Sequence, residues 1–148
     1  MSQVNSFYGY PSSHTTIIAT VPLATEQTTI VVSGSNYYYS KGIFYEKSAD
    51  KYVVVSAAPV GAKVTVIPPE ALVITVKSRK YYYYQGVYYV RGNNDYKVVA
   101  APSLAVVPYI PSGHKVVHVN AQKYHVYGGV HYQPVLRGGV TAYRVTRF

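Results

Sequence analysis

The side chains with the widest chemical repertoire are scarce in this 148-residue chain, which holds five His, five Asp and Glu together, and no Cys. Three histidines crowd into one stretch: His114, His118 and His125. In an extended strand, residues an even number apart share a face, so His114 and His118 point the same way. If Asn120 to Lys123 is a loop that pairs Val119 with Tyr124, His118 faces His125 across the ladder. Imidazoles gathered in this way would suit a divalent transition metal. His131 pairs with Val126 across the next turn and faces away from His125. Carboxylates are too few for paired acid–base work. Asp50 and Asp95 stand just before Lys51-Tyr52 and Tyr96, where Asp shapes a turn. Missing cysteine removes disulfides, thiolate zinc sites and cysteine nucleophiles together. No G-x-S-x-G, P-loop or H-E-x-x-H occurs. The expectation is a chain with no catalytic residue and no cofactor.

Two residue types carry more weight, the basic ones and tyrosine. Formal charge is +9, and it is unevenly spread. Residues 96–148 hold Lys97, Lys115, Lys123, Arg137, Arg144 and Arg147 with no acid. A basic patch of Lys77, Arg79, Lys80, Arg91, Arg144 and Arg147 would meet an anionic glycan or another polyanion, or simply keep a sticky β surface soluble. The 19 tyrosines are the second feature. Lys77 to Tyr84 has the basic and aromatic texture of a single-stranded nucleic acid site. Those tyrosines sit in structural strands, however, so nucleic acid is not the expected partner.

The tyrosines fall into an internal repeat. Tyr37-Tyr38-Tyr39-Ser40-Lys41-Gly42-Ile43-Phe44-Tyr45 aligns with Tyr81-Tyr82-Tyr83-Tyr84-Gln85-Gly86-Val87-Tyr88-Tyr89. A third copy runs Tyr124-His125-Val126-Tyr127-Gly128-Gly129-Val130-His131-Tyr132, so that Gly42, Gly86 and Gly129 recur every 43 to 44 residues. Upstream of each lies Ile30-Val31-Val32, Ile74-Thr75-Val76 or Val117-His118-Val119; downstream comes Tyr52, Tyr96 or Tyr143. Copy three has an insertion around Arg137-Gly138-Gly139. The aromatic surface expected from this pattern, for assembly or ligand stacking, is Tyr37, Tyr38, Tyr39, Tyr45, Tyr81, Tyr82, Tyr83, Tyr84, Tyr88, Tyr89, Tyr127 and Tyr132. The repeat also weakens the metal reading. His118 and His125 correspond to Thr75 and Tyr82, so the template needs only a polar–aromatic pair there, and no metal is expected.

Such a composition builds strands. Leu occurs only at 23, 72, 104 and 136, while Val, Tyr and Thr, which suit a pleated surface, dominate. Turn glycines Gly42, Gly86 and Gly129 close two-residue hairpins. Ser33 to Asn36, Lys77 to Lys80 and Asn120 to Lys123 read as longer loops. Each copy is thus a meander of about four strands. Pro59, Pro68, Pro69, Pro102 and Pro111 confine the junctions to crossings or edges. Tyr81 to Tyr84 and Val53 to Val55 are apolar on both faces, which requires both faces to be covered. The fold expected is all-β, with an N-terminal arm or partial repeat at 1–26 and repeats at 27–70, 71–112 and 113–148, packed as a small sandwich, barrel-like body or repeat array.

The quoted YYYYQGVYY, the YxVVAAP that follows it, and the PVGAxV and IPP turns resemble a bacterial family of small exported Tyr-rich proteins of unknown function. Those proteins carry repeated YYYYxGVYY and PxGAxVxxLPxG units. The resemblance covers residues 27–132 and implies an extracellular or cell-envelope setting; it supplies no catalytic residues. The start, Met1 to Asn5, lacks the basic and apolar regions of a signal peptide. The chain is therefore either cytoplasmic or read without its signal. No apolar run approaches the ~20 residues of a membrane-spanning helix, and strands this short and Pro-interrupted do not suit an outer-membrane barrel. The function expected is a non-catalytic structural protein that associates with itself through strand addition and tyrosine faces, with residues 1–20 and 140–148 as intersubunit strands. The alternative is a monomeric module stacking Tyr and basic groups on a glycan or other polyanion.

Overall fold

The structure, a computed structural model, describes residues 18–19 and 27–148. Among them there is no helix; every regular element is a strand. The strands form three antiparallel five-stranded sheets of one plan. The first holds β1 (Ile18–Ala19), β2 (Thr28–Val32), β3 (Ser35–Ser40), β4 (Ile43–Ser48) and β5 (Lys51–Val54), in the order β1-β5-β4-β3-β2. In the second, β6 (Lys63–Val64), β7 (Leu72–Val76), β8 (Arg79–Tyr84), β9 (Val87–Arg91) and β10 (Tyr96–Val99) run β6-β10-β9-β8-β7. The third has β11 (Val106–Val107), β12 (Lys115–Val119), β13 (Gln122–Tyr127), β14 (Val130–Arg137) and β15 (Val140–Thr146), ordered β11-β15-β14-β13-β12. Each sheet is the expected four-stranded meander, plus a two-residue strand from the preceding junction laid against its fourth strand. None of the three closes on itself, so the barrel-like packing is not the one adopted.

Turn chemistry differs from the expectation at one set of hairpins. Ser33 to Asn36, Lys77 to Lys80 and Asn120 to Lys123 are not four-residue loops. They are two-residue turns at Ser33-Gly34, Lys77-Ser78 and Asn120-Ala121, and all six residues have positive φ. A type I′ turn, whose twist matches that of the strands, needs both central residues left-handed, and the chain adopts that conformation even with Lys, Ser and Ala there. The consequence is a shift of register. Val119 pairs with Gln122, His118 with Lys123 and Val116 with His125, so His118 does not face His125.

The two-sided strands find their partners in neighbouring sheets. One face of the first sheet, through Ile30, Tyr39 and Phe44, packs on Val64, Val87, Tyr89 and Val98 of the second sheet and on Ala62 beside it. The opposite face of the second sheet, through Tyr83 and Tyr88, packs on Val107, Tyr132 and Val145 of the third sheet, with Ala101, Ala105 and Ile110 sealing the margin. The edge strands β6 and β11 thus join the sheet that follows them, although they fall within 27–70 and 71–112. The second sheet is therefore covered on both faces, and the described residues form two interlayer cores. Fully burying one such side chain contributes roughly 1.5–3 kcal/mol relative to leaving it exposed.

Polar stitches repeat with the layers. Tyr39 donates its hydroxyl to the Val66 carbonyl at 2.9 Å, and Tyr83 donates to the Tyr109 carbonyl at 2.8 Å. Both acceptors lie in the segment that follows the short edge strand of the next sheet. The Tyr109 hydroxyl in turn accepts from the Gln85 amide at 2.9 Å. Turn glycines interlock as well: a Cβ on Gly42 would come within 2.5 Å of the Tyr84 ring, and one on Gly86 within 2.8 Å of the Tyr127 ring.

Candidate binding and assembly surfaces

Placement of the tyrosines divides the expected aromatic surface. Tyr39, Tyr83, Tyr88, Tyr89 and Tyr132 lie inside the two cores, with exposures of 7% or less. They hold layers together and are closed to any ligand. Burial pushes Tyr39, Tyr127 and Tyr132 up to about 12, and it drives Tyr83, Tyr88 and Tyr89 higher still. Tyr37, Tyr38, Tyr45, Tyr81, Tyr82, Tyr84 and Tyr127 are half-buried. Tyr38 and Tyr82 stand edge-on to Tyr52 and Tyr96, at 5.3 and 5.4 Å between ring centres. Gly42, Gly86 and Gly129 occupy the second position of their hairpin turns, each with positive φ.

The basic residues do not form one patch. Lys77, Arg79, Lys80 and Arg91 belong to the second sheet, where Arg79 lies over the Tyr81 ring at 5.5 Å and Arg91 over Tyr96 at 5.7 Å. Arg144 is on β15 and donates to the Gln133 side chain at 3.2 Å. Arg147 turns back to donate to the Ala101 carbonyl. That bond ties it to the junction between the second and third sheets.

Two of the three candidate metal ligands do meet. The rings of His114 and His125 are 4.9 Å apart and nearly perpendicular. His114 donates from Nδ1 to the Pro111 carbonyl at 2.9 Å, while the buried Nδ1 of His125 has no partner. Burial lowers the His125 pKa, and the neighbouring His114 and Lys123 lower it further, so its neutral form is favoured. His125 also stands edge-on to Tyr143 at 5.4 Å. This is the Tyr82–Tyr96 contact of the second repeat with an imidazole in place of a phenol. His118 lies opposite Lys123 and is exposed. Among the described residues, no group of three His, Cys, Asp or Glu gathers.

Terminal segments were expected to be intersubunit strands. Residues 1–20 lie outside the described residues except Ile18–Ala19, which pair with Val53 and Tyr52 on β5. Of 140–148, β15 pairs along its length with β14, and β11 with the segment before it covers Tyr143 to Val145 on the other edge, so the middle of this strand is used within the chain. The insertion near Gly138-Gly139 lengthens this internal hairpin, pairing Val135 with Ala142 and Arg137 with Val140.

Two surfaces emerge that residue types alone did not single out. The first is the edge of each sheet left open among the described residues, formed by β2, β7 and β12. β2 reads Thr-Thr-Ile-Val-Val and β7 reads Leu-Val-Ile-Thr-Val, with no charge in either; Val31 is 64% exposed and Val73 55%. The opposite edges are two-residue strands, and those of the second and third sheets are bracketed by prolines (Pro59 and Pro68, Pro102 and Pro108), which blunts them. The second surface is the outer face of the third sheet, with which no further sheet among the described residues forms a core. Here Tyr124, His131 and Phe148 contact one another edge-on, with Phe148 5.0 Å from each of the other two rings. A sequence signal for it existed. Val126 and His131 depart from the repeat at the positions of Tyr39 and Phe44, or Tyr83 and Tyr88, which in the first two sheets pack on the next layer.

No helix among the described residues is long and apolar enough to cross a membrane. No curated protein and no solved structure matches the chain. One family profile, described as a family of unknown function (DUF6515), matches residues 1–148, and the chain belongs to that family.

Proposed function

We propose that this is a non-catalytic structural protein that assembles with copies of itself by strand addition, in the extracellular or envelope setting of the Tyr-rich proteins its repeat resembles. The observation that carries the reading is the pair of charge-free open edges. A strand edge presents a row of unpaired N–H and C=O groups, and natural proteins guard such edges with Lys, Pro, bulges or shortness. Among the described residues, the edges β6 and β11 are guarded by shortness and β12 by Lys115 and His118. β2 and β7 are left five residues long and uncharged. Such a segment pairs readily with a like segment of another chain. The tyrosines serve inside each subunit, where they weld the layers into a rigid block.

Sedimentation and negative-stain microscopy of the full chain test this. The native protein is expected to form oligomers or filaments. Val31→Lys with Val73→Lys should return it to monomer with its circular dichroism melt unchanged, because both side chains are exposed. A native protein that stays monomeric at high concentration overturns the reading.

A further inference from the structure

We propose that the outer face of the third sheet is a docking surface for an acidic polysaccharide, independent of the edges used for assembly. The argument begins with what this face has given up. In the first two sheets the corresponding face docks on the next layer through a buried aromatic pair, Tyr39 with Phe44 and Tyr83 with Tyr88. The hydroxyls of Tyr39 and Tyr83 reach a carbonyl in the neighbouring layer. In the third sheet Val126 and His131 stand in their places, so the hydroxyl that would reach a further layer is gone.

What replaces the docking pair is neither a core nor an ordinary solvated face. Lys115, Val126, His131 and Thr146 form one row across β12, β13, β14 and β15. Beside His131 on this face, Tyr124 and Phe148 complete the cluster of three mutually perpendicular rings. The Phe148 ring is 72% exposed. Arg144 is held by Gln133 at 3.2 Å, so its guanidinium is already oriented, and a fork of this kind matches a carboxylate bidentately. Lys115 and Arg144 are three strand spacings apart and two residues out of row, roughly 16 Å. No acidic side chain occurs in residues 96–148 to compete for them.

The spacing selects the class of polymer. Single-stranded nucleic acid carries a charge on every unit, and its binding draws on a dense row of cations along a groove. Here three cations, Lys115, Arg137 and Arg144, stand well apart around a patch of rings on an open sheet face. That layout fits a chain of sugars whose apolar faces lie on the rings and whose carboxylates recur at intervals.

The probes are oligogalacturonate, a neutral dextran oligomer and oligo-dT, titrated against the full chain by NMR. Expected are shifts confined to Tyr124, His131 and Phe148 with oligogalacturonate, and none with dextran. Arg144→Gln and Tyr124→Ala should each weaken that affinity by roughly tenfold, the loss of one charge-assisted or stacking contact. Both variants should keep the native melt, and Lys51→Gln, a cation on another sheet, should bind as the native chain does. The proposal is overturned by absence of binding, by equal losses in Lys51→Gln, which would mean diffuse charge attraction, or by oligo-dT binding more tightly through the same residues.

Discussion

A single hydroxyl separates the two cores. In the second core Tyr88 and Tyr132, 44 residues apart, share a buried hydrogen bond of 2.8 Å between their hydroxyls. The corresponding pair in the first core is Phe44 and Tyr89. Phenylalanine offers no hydroxyl, and the buried hydroxyl of Tyr89 has only that of Tyr39 within reach, in a poorer geometry. A buried polar group left unpaired costs about 1–3 kcal/mol, whereas removing it together with its need for a partner is neutral or better. One substitution at two equivalent sites should therefore differ in size. Tyr89→Phe gives up only the poorer contact with Tyr39 and is expected to change stability by less than about 1 kcal/mol in urea denaturation. Tyr132→Phe strands the Tyr88 hydroxyl and should destabilise by about 1–3 kcal/mol. Equal destabilisation by both would show that the Tyr89 hydroxyl pairs as well in solution as that of Tyr132.

At the level of elements, the hairpins decide how much the sequence discloses. Lys41-Gly42 and Gln85-Gly86 announce their turns through glycine, and the YYYY run announces that both faces of β8 must be covered. Lys77-Ser78 and Asn120-Ala121 adopt the same left-handed pair without glycine, and reading them as longer loops moved His118 across from His125. β6 and β11 were illegible for a different reason. Two residues between prolines carry no periodicity, and their pairing with β10 and β15 is dictated by the sheet they join. The edge β7 was visible as an apolar run, but its exposure depends on which strand is last in the sheet order. Glycine itself does two jobs that can be separated. Gly139 has positive φ and open space around it, so Gly139→Ala should cost only the backbone term, about 1 kcal/mol. Gly42 has the same φ but the Tyr84 ring and Pro68 sit where its Cβ would go, all within 2.7 Å. Gly42→Ala must also displace that ring and loosen the contact between layers. Its loss in chemical denaturation should be at least twice that of Gly139→Ala, and near-equality of the two would mean that the turns do not interlock.

For the whole molecule, buried phenols make the fold sensitive to alkali. Burial raises the pKa of the five core tyrosines, Tyr39, Tyr83, Tyr88, Tyr89 and Tyr132, and of Tyr127, which packs against the second core. In the unfolded chain all six return to the ordinary value near 10. Below that value both states keep the proton, and these groups leave stability unchanged with pH. Above it the unfolded chain releases protons that the folded one retains, so the contribution present below pH 10 is lost as pH rises. Each retained proton steepens the loss by about 1.4 kcal/mol per pH unit, and six together act as about 8 kcal/mol per pH unit. A domain with a typical stability of about 5–15 kcal/mol cannot absorb two units of that slope. These six should ionise in one steep step between pH 10 and about 12, read by tyrosinate absorbance near 295 nm and coincident with loss of the β-sheet signal in circular dichroism. Gradual titration of all 19 tyrosines with the sheet signal intact would mean that the layers part without unfolding, and that the tyrosine cores are not what holds the three sheets together.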